Sequence, residues 1–262
     1  MFKVKIKDSK LVRGIFDAVS GIISEAQLEV DPAKGIGFSA MDTGHICLVS
    51  LDLRKEDLDE FKADEKSKIG LNLEDLVKIL KRSGIDDEIT FSYSSTEKQL
   101  IIEMRPPTAK KARRFTMGLM DIEAEEYNVE SLEELQFDNH VCMNLKYLDE
   151  AIKDAEIYAE MLEIRVTDKL IFTTVGTIGN VQGELEKDML DSADFTNESH
   201  GFYAIKLLKE VLKVSSIADK AEISLKSDMP LKLKFNLLNS SRILYFLAPR
   251  AEEEEDTTEF EE

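Results

Sequence analysis

The chain has little of what catalytic and secreted proteins are commonly built around. Two cysteines, Cys47 and Cys142, are too few for a disulfide framework and show no CxxC spacing. They read as small buried thiols of a reducing compartment. The three histidines, His45, His140 and His200, lie far apart, none of them in an HExxH or metal-finger pattern. No P-loop occurs, and Gly35-Ile36-Gly37 opens a strand-like run without the third glycine of a dinucleotide loop. Asp86-Asp87-Glu88 offers metal-ligating atoms but reads better as a solvated turn. The chain is therefore read as a non-enzyme with no cofactor and no metal; a catalyst assembled from scattered residues is the remaining alternative. No apolar run approaches the ~18 residues of a membrane span. The opening MFKVKIKDSK alternates like a strand and lacks a signal peptide's apolar core. A soluble, intracellular protein is expected.

Positive charge is scarce too: 34 basic residues stand against 53 acidic ones, a formal charge of −19. Phosphate contacts dominate affinity for nucleic acid, which argues against simple adhesion to it. If DNA is a partner, the cations must be concentrated in one place, and the binding must be weak and independent of sequence. A length of 262 residues admits one large domain or two ordinary ones with a substantial core.

What is present is pattern. Residues 73–83, LEDLVKILKRS, carry Leu73, Leu76, Val77 and Leu80 at the spacing of one helical face, while Lys78, Lys81 and Arg82 share another. About 132 residues later an apolar stripe and a basic stripe return over 205–213, with Lys206, Lys209 and Lys213. A helix is expected over 10–26, with Lys10 and Arg13 exposed, and another over 147–159. In the second, Lys153 is outnumbered by Asp149, Glu150, Asp154 and Glu156. Strands are expected at 2–7, 27–30, 36–40, 46–53 and 115–119, and a hairpin from 88–94 and 99–105, broken from the basic run 110–114 by Pro106-Pro107.

Residues 120–136 alternate poorly, hold no amphipathic helix and lie near the midpoint, so they read as a connector. The second half repeats the first: Leu162-Glu163-Ile164 matches Leu28-Glu29-Val30, and Leu170-Ile171-Phe172-Thr173 matches Ile36-Gly37-Phe38-Ser39. A repeat this long is too large for a solenoid unit and implies two similar tandem domains. The expected division is 1–119, connector 120–136, 137–250, and a disordered acidic tail over 251–262.

Several motifs in order give the chain a resemblance. Met41-Asp42-xx-His45, Leu71-Asn72-Leu73…Lys78-Ile79-Leu80-Lys81, Leu119-Met120-Asp121-Ile122 and Leu247-Ala248-Pro249-Arg250 together resemble the proliferating cell nuclear antigen family of DNA sliding clamps, most closely its archaeal form. The resemblance implies an α+β fold of two clamp domains, with helices inside and a continuous β-sheet outside, three subunits closing into a ring. It implies that Lys10, Arg13, Lys78, Lys81, Arg82, Lys153, Lys206, Lys209 and Lys213 face duplex DNA without reading its sequence. It implies subunit contacts at 113–119 and 174–183, through Arg113, Phe115, Met117, Ile178 and Val181. Asp149, Glu150 and Asp154 are expected to face Arg82 and the run containing Lys110, Lys111 and Arg113 of a neighbour. A partner-peptide pocket is implied at Met41, His45, Ile46, Leu48, Tyr127, Val129, Pro230, Tyr245, Phe246, Ala248, Pro249 and Arg250. Implied partners are double-stranded DNA, DNA polymerase, flap endonuclease, DNA ligase, an ATP-dependent clamp loader and further copies of the chain. A subunit of a heterotrimeric checkpoint clamp is the alternative. The location would be cytoplasmic, at the nucleoid, if archaeal and nuclear if eukaryotic.

Overall fold

A computed structural model describes residues 1–250 except Ser95, Glu97, Ala109, Lys110 and Ala124. The expected interface residue Lys110 and the acidic tail thus lie outside the described residues. The first half runs β1 (Phe2–Ile6), α1 (Ser9–Ser20), β2 (Glu25–Asp31), β3 (Gly35–Met41), β4 (Cys47–Arg54), β5 (Glu60–Ala63), β6 (Ser67–Asn72), α2 (Leu73–Leu80), β7 (Glu88–Ser94), β8 (Gln99–Arg105) and β9 (Arg113–Gly118). A short helix, α3 (Val129–Glu133), follows. The second half runs β10 (Asn139–Asn144), α4 (Leu145–Ala155), β11 (Met161–Val166), β12 (Leu170–Gly176), β13 (Gly179–Leu185), β14 (Ser192–Phe195), β15 (Ser199–Ala204), α5 (Ile205–Val211), β16 (Lys220–Leu225), β17 (Leu231–Asn236) and β18 (Arg242–Leu247). Strand, helix, five strands, helix, three strands: the order occurs twice.

Helix starts follow from caps. Asp8 accepts the Leu11 N–H at 2.9 Å, Asn72 that of Asp75 at 2.9 Å, and Asn144 that of Lys146 at 2.9 Å. The helix expected over 10–26 ends at Ser20. Ile22 and Ile23 continue the apolar spacing but sit in a turn, where both N–H groups bond the Val19 carbonyl. From Glu25 the chain pairs with β6, Ala26 opposite Leu71, and sheet pairing overrides the helical pattern. The charged stretch before residue 73 holds two strands that were not expected, β5 and β6. Their apolar alternation is thin, because β5 lies at a sheet edge against β1.

Among the described residues all strand pairs are antiparallel, in three sheets: β5-β1-β7-β8-β9, then β14-β10-β16-β17-β18-β4-β3-β2-β6, then β13-β12-β11-β15. The nine-stranded sheet joins the halves, with β18 on β4 from Arg242↔Asp52 to Leu247↔Cys47. Beside this seam the Asp57 carboxylate accepts the N–H groups of Ser240 and Ser241 at 2.8 and 2.7 Å and the Ser241 hydroxyl at 2.7 Å. On the helical side α2 packs on α1, α1 on α5 and its 3-10 extension Leu212–Ser216, and α5 on α4. Gly14 permits that close approach, since a Cβ there would lie 2.2 Å from Ile217 Cγ2. One main core runs through both halves.

Candidate functional site

The four long helices form one row, and the expected cations lie along it. Lys10, Lys78, Lys81, Arg82, Lys153, Lys206, Lys209 and Lys213 are exposed and Arg13 is half-buried. They do not form a bare positive strip. Lys81 pairs with Asp17 at 2.9 Å, Lys78 with Asp75 at 2.8 Å and Lys153 with Asp149 at 2.6 Å. Lys209 pairs with Glu156 and Lys213 with Glu210, each at 2.5 Å. Arg13 donates to the Ser83 carbonyl at 3.3 Å. Among the described residues Lys10, Arg82 and Lys206 make no ion pair. An anion approaching the row must share most of these cations with a carboxylate, so each contact is weak and exchangeable.

Among the described residues six strands end the three sheets, β5, β6, β9, β13, β14 and β15, and two of them, β9 and β13, fall in the segments expected to make subunit contacts. Arg113 on β9 is held by Asp87, a carboxylate only 4% exposed, at 2.8 Å. Asp87 also accepts the Gly84 N–H, so the acid cluster at 86–88 braces a turn and an edge strand. Phe115 is half-buried, Met117 buried, Lys111 exposed. The segment 174–183, implied as a subunit contact, is a hairpin. Thr174 still pairs with Val181 inside it, Gly176 meets Gly179, and only β13 presents an edge. Ile178 stands in the turn, 71% exposed like Val175. Gly176 is required there, because a Cβ would fall 1.9 Å from the Tyr158 carbonyl oxygen. The acids expected to face a neighbour are already engaged at home: Asp149 with Lys153, and Glu150 with Lys146 at 3.7 Å. Asp154 is exposed.

A second apolar cluster lies outside the main core: Leu48, Leu244 and Phe246 are buried, with Met41, Tyr127, Val129 and Leu132 packed against them. The connector, expected without a helix, makes α3 over this cluster. Asn128 accepts the Ser131 N–H at 3.0 Å, and Val129 and Leu132 share the inward face. At the cluster's edge, Asp42 ties the 42–47 loop by accepting the N–H groups of Ile46 and Cys47 at 2.7 Å each. His45 is exposed there with φ of 52°, and Ile46 is half-buried. Ala248 donates to the Ile46 carbonyl at 2.8 Å, which keeps the chain after β18 beside this loop, whereas the Arg250 N–H donates at 2.9 Å to the carbonyl of Phe202 on β15, in another sheet. Pro230 leads into β17, half-buried. Tyr245 is not part of this cluster. It points the other way, into the main core at 0% exposure, because neighbours on a strand face opposite sides of the sheet.

Comparison with known proteins agrees with this layout. Residues 1–127 match the N-terminal domain of proliferating cell nuclear antigen and residues 131–250 its C-terminal domain. The chain belongs to the proliferating cell nuclear antigen family. A DNA polymerase sliding clamp of Methanothermobacter thermautotrophicus is 33% identical over 258 residues, covering 97% of this chain and 100% of the relative. One from Methanobrevibacter smithii is 28% identical over 256 residues, with 97% and 100% covered. One from Methanococcus maripaludis is 28% identical over 245 residues, with 91% and 94% covered.

In this member of the proliferating cell nuclear antigen family, sequence reasoning missed what holds the connector down. Arg242 donates to both oxygens of Glu133 at 2.7 Å each, fastening α3 to β18. Lys68 reaches Glu126 at 3.3 Å and Lys34 reaches Glu130 at 3.9 Å from the sheet below. Under the strap a cleft of about 430 Å³ is bounded by β2, β3 and β4 and by Tyr127, Val129 and Leu244. Leu132 and Leu244 were also missed. Leu132 is three residues from Val129, a helical spacing hidden by the acids around it.

Proposed function

We infer that the chain is the subunit of a homotrimeric DNA sliding clamp, a polymerase processivity factor that encircles duplex DNA and carries no catalytic role. One observation carries the reading. The chain contains a completed seam, β18 on β4, whose counterparts in the repeat, β9 and β13, are left as edges. In the repeat β9 stands to β8 as β18 stands to β17, and β13 to β12 as β4 to β3. Pairing β9 of one copy with β13 of the next repeats the internal seam between molecules and covers both edges. Such a head-to-tail contact closes into a ring when the rotation allows. Phe115, Met117, Ile178 and Val181 supply its apolar contact, and Arg82, Lys111 and Arg113 meet Asp149, Glu150 and Asp154 across it.

The helix row then lines the hole, where shared cations hold phosphates loosely enough to slide. A net charge of −19 discourages DNA from binding elsewhere. The cluster under α3 takes apolar anchors from DNA polymerase, flap endonuclease and DNA ligase, and an ATP-dependent loader opens the ring. The divisions 119/120 and 136/137 belong to this proposal, as does a cytoplasmic location at the nucleoid. The names of the relatives favour the polymerase clamp, and nothing among them supports the checkpoint alternative. The test is retention on DNA. Three chains of 29.7 kDa should form a particle of about 90 kDa. Loaded onto a nicked plasmid, it should stay through a high-salt wash and leave once the plasmid is linearised. Equal loss from circular and linear DNA refutes encirclement.

A further inference from the structure

Lys232 is a cation in a place that calls for none. It stands opposite Phe246 on β17, on the face that carries the apolar cluster, with its ammonium 6.0 Å from the Phe246 ring centre. Its side chain is only 14% exposed. Glu133 is the nearest carboxylate, but Arg242 already holds both its oxygens at 2.7 Å, and Lys232 lies 3.9 Å away, beyond hydrogen-bonding distance. Among the described residues no acceptor bonds its three donors. Burial pulls its proton affinity below the ordinary lysine value, with Lys234 and Arg242 adding to the effect against Glu133 and Glu222.

A segment docking over Phe246 strips more water from this ammonium. A neutral segment leaves the charge buried and poorly satisfied; one with a carboxylate at the right place completes it. The connector's exposed acids Glu125, Glu126, Glu130 and Glu134 repel anionic segments in general. Salt screens that repulsion within ~8–10 Å, so the preference must be local to one position of the bound segment. We propose that Lys232 is a specificity-determining residue of the partner pocket, selecting peptide segments that set an aspartate or glutamate beside their apolar anchors. This rests on the peptide-pocket reading above.

The test uses the full chain and fluorescence anisotropy with short synthetic peptides carrying a glutamine and an aromatic pair, the kind of segment that the resemblance to the sliding-clamp family implies for this pocket. In the series a single Asp or Asn is moved through the positions flanking the aromatic pair. At one position Asp should bind about five- to tenfold more tightly than Asn, and the ratio should shrink as salt is raised. Lys232→Met should bring that ratio to one, Lys232→Glu should invert it, and Lys232→Arg should keep it. No aspartate preference at any position, or a preference that survives Lys232→Met, overturns the proposal. If the Asn peptides also bind Phe246→Ala as well as they bind the natural chain, it is the pocket itself that is wrong, and this inference falls with it.

Discussion

Replacing Asp57 by alanine should destabilise the chain by about 2–4 kcal/mol at pH 7, and the loss should shrink in acid. Asp57 ends a 3-10 turn of the first half and holds the β17–β18 turn of the second. One oxygen, Oδ2, accepts from the Ser240 N–H, the Ser241 N–H and the Ser241 hydroxyl at 2.8, 2.7 and 2.7 Å. Ser241, 1% exposed, passes the link on by accepting the Arg54 N–H at 3.0 Å. A hydrogen bond to a charged group is worth ~1.5–3 kcal/mol. Three on one oxygen do not add in full, which gives the range stated. Desolvation pushes the Asp57 carboxyl up, but the Ser241 hydroxyl and the two N–H groups outweigh it, so the folded value sits below the ordinary one. A depressed folded pKa contributes stability above the unfolded value of ~3.9; that contribution is lost as pH falls through the folded value. Urea unfolding at fixed protomer concentration, of wild type, Asp57→Ala and Asp57→Asn, should show the gap to wild type narrowing below about pH 4. A loss under ~0.5 kcal/mol at pH 7, within the range of an ordinary surface change, refutes the reasoning. So does a gap that is flat down to pH 3.

Other consequences are simpler to state. Gly14→Ala puts a methyl 2.2 Å from Ile217 Cγ2 and 2.9 Å from Ser216 Oγ, and should cost about 1–3 kcal/mol where the helices of the two halves meet; an unchanged melting temperature in calorimetry counts against that packing. Asp149→Lys with Asp154→Lys should shift assembly toward smaller species in light scattering, by roughly tenfold in concentration if exposed pairs give ~0–1 kcal/mol each. Unaltered assembly rejects the pairing across subunits. Burial, with the nearby Asp42 charge, pushes the Cys47 thiol up to about 12, so an alkylating reagent at pH 8 should spare it in the folded chain. Half-buried Cys142 should react first by mass spectrometry; equal labelling contradicts the burial of Cys47.

Local pattern determined a good deal of this protein. The apolar stripes of α1, α2, α4 and α5, the β7–β8 hairpin with its bounds, and the repeat all rest on spacings within a few residues or on similarity along the chain. Chain-local information stops where an element is buried on both sides. The strand β18, RILYFL, is buried from Ile243 onward without alternation, so nothing in it tells the core face with Tyr245 from the pocket face with Leu244 and Phe246. Only its pairing with β4 on one side and β17 on the other decided that. Tertiary structure likewise decided which acids occupy the helix-row lysines, and that 174–183 folds back on itself. It also set Arg242 on Glu133, leaving Lys232 short of a partner, because those contacts join residues far apart in the chain whose separate surroundings carry no trace of each other.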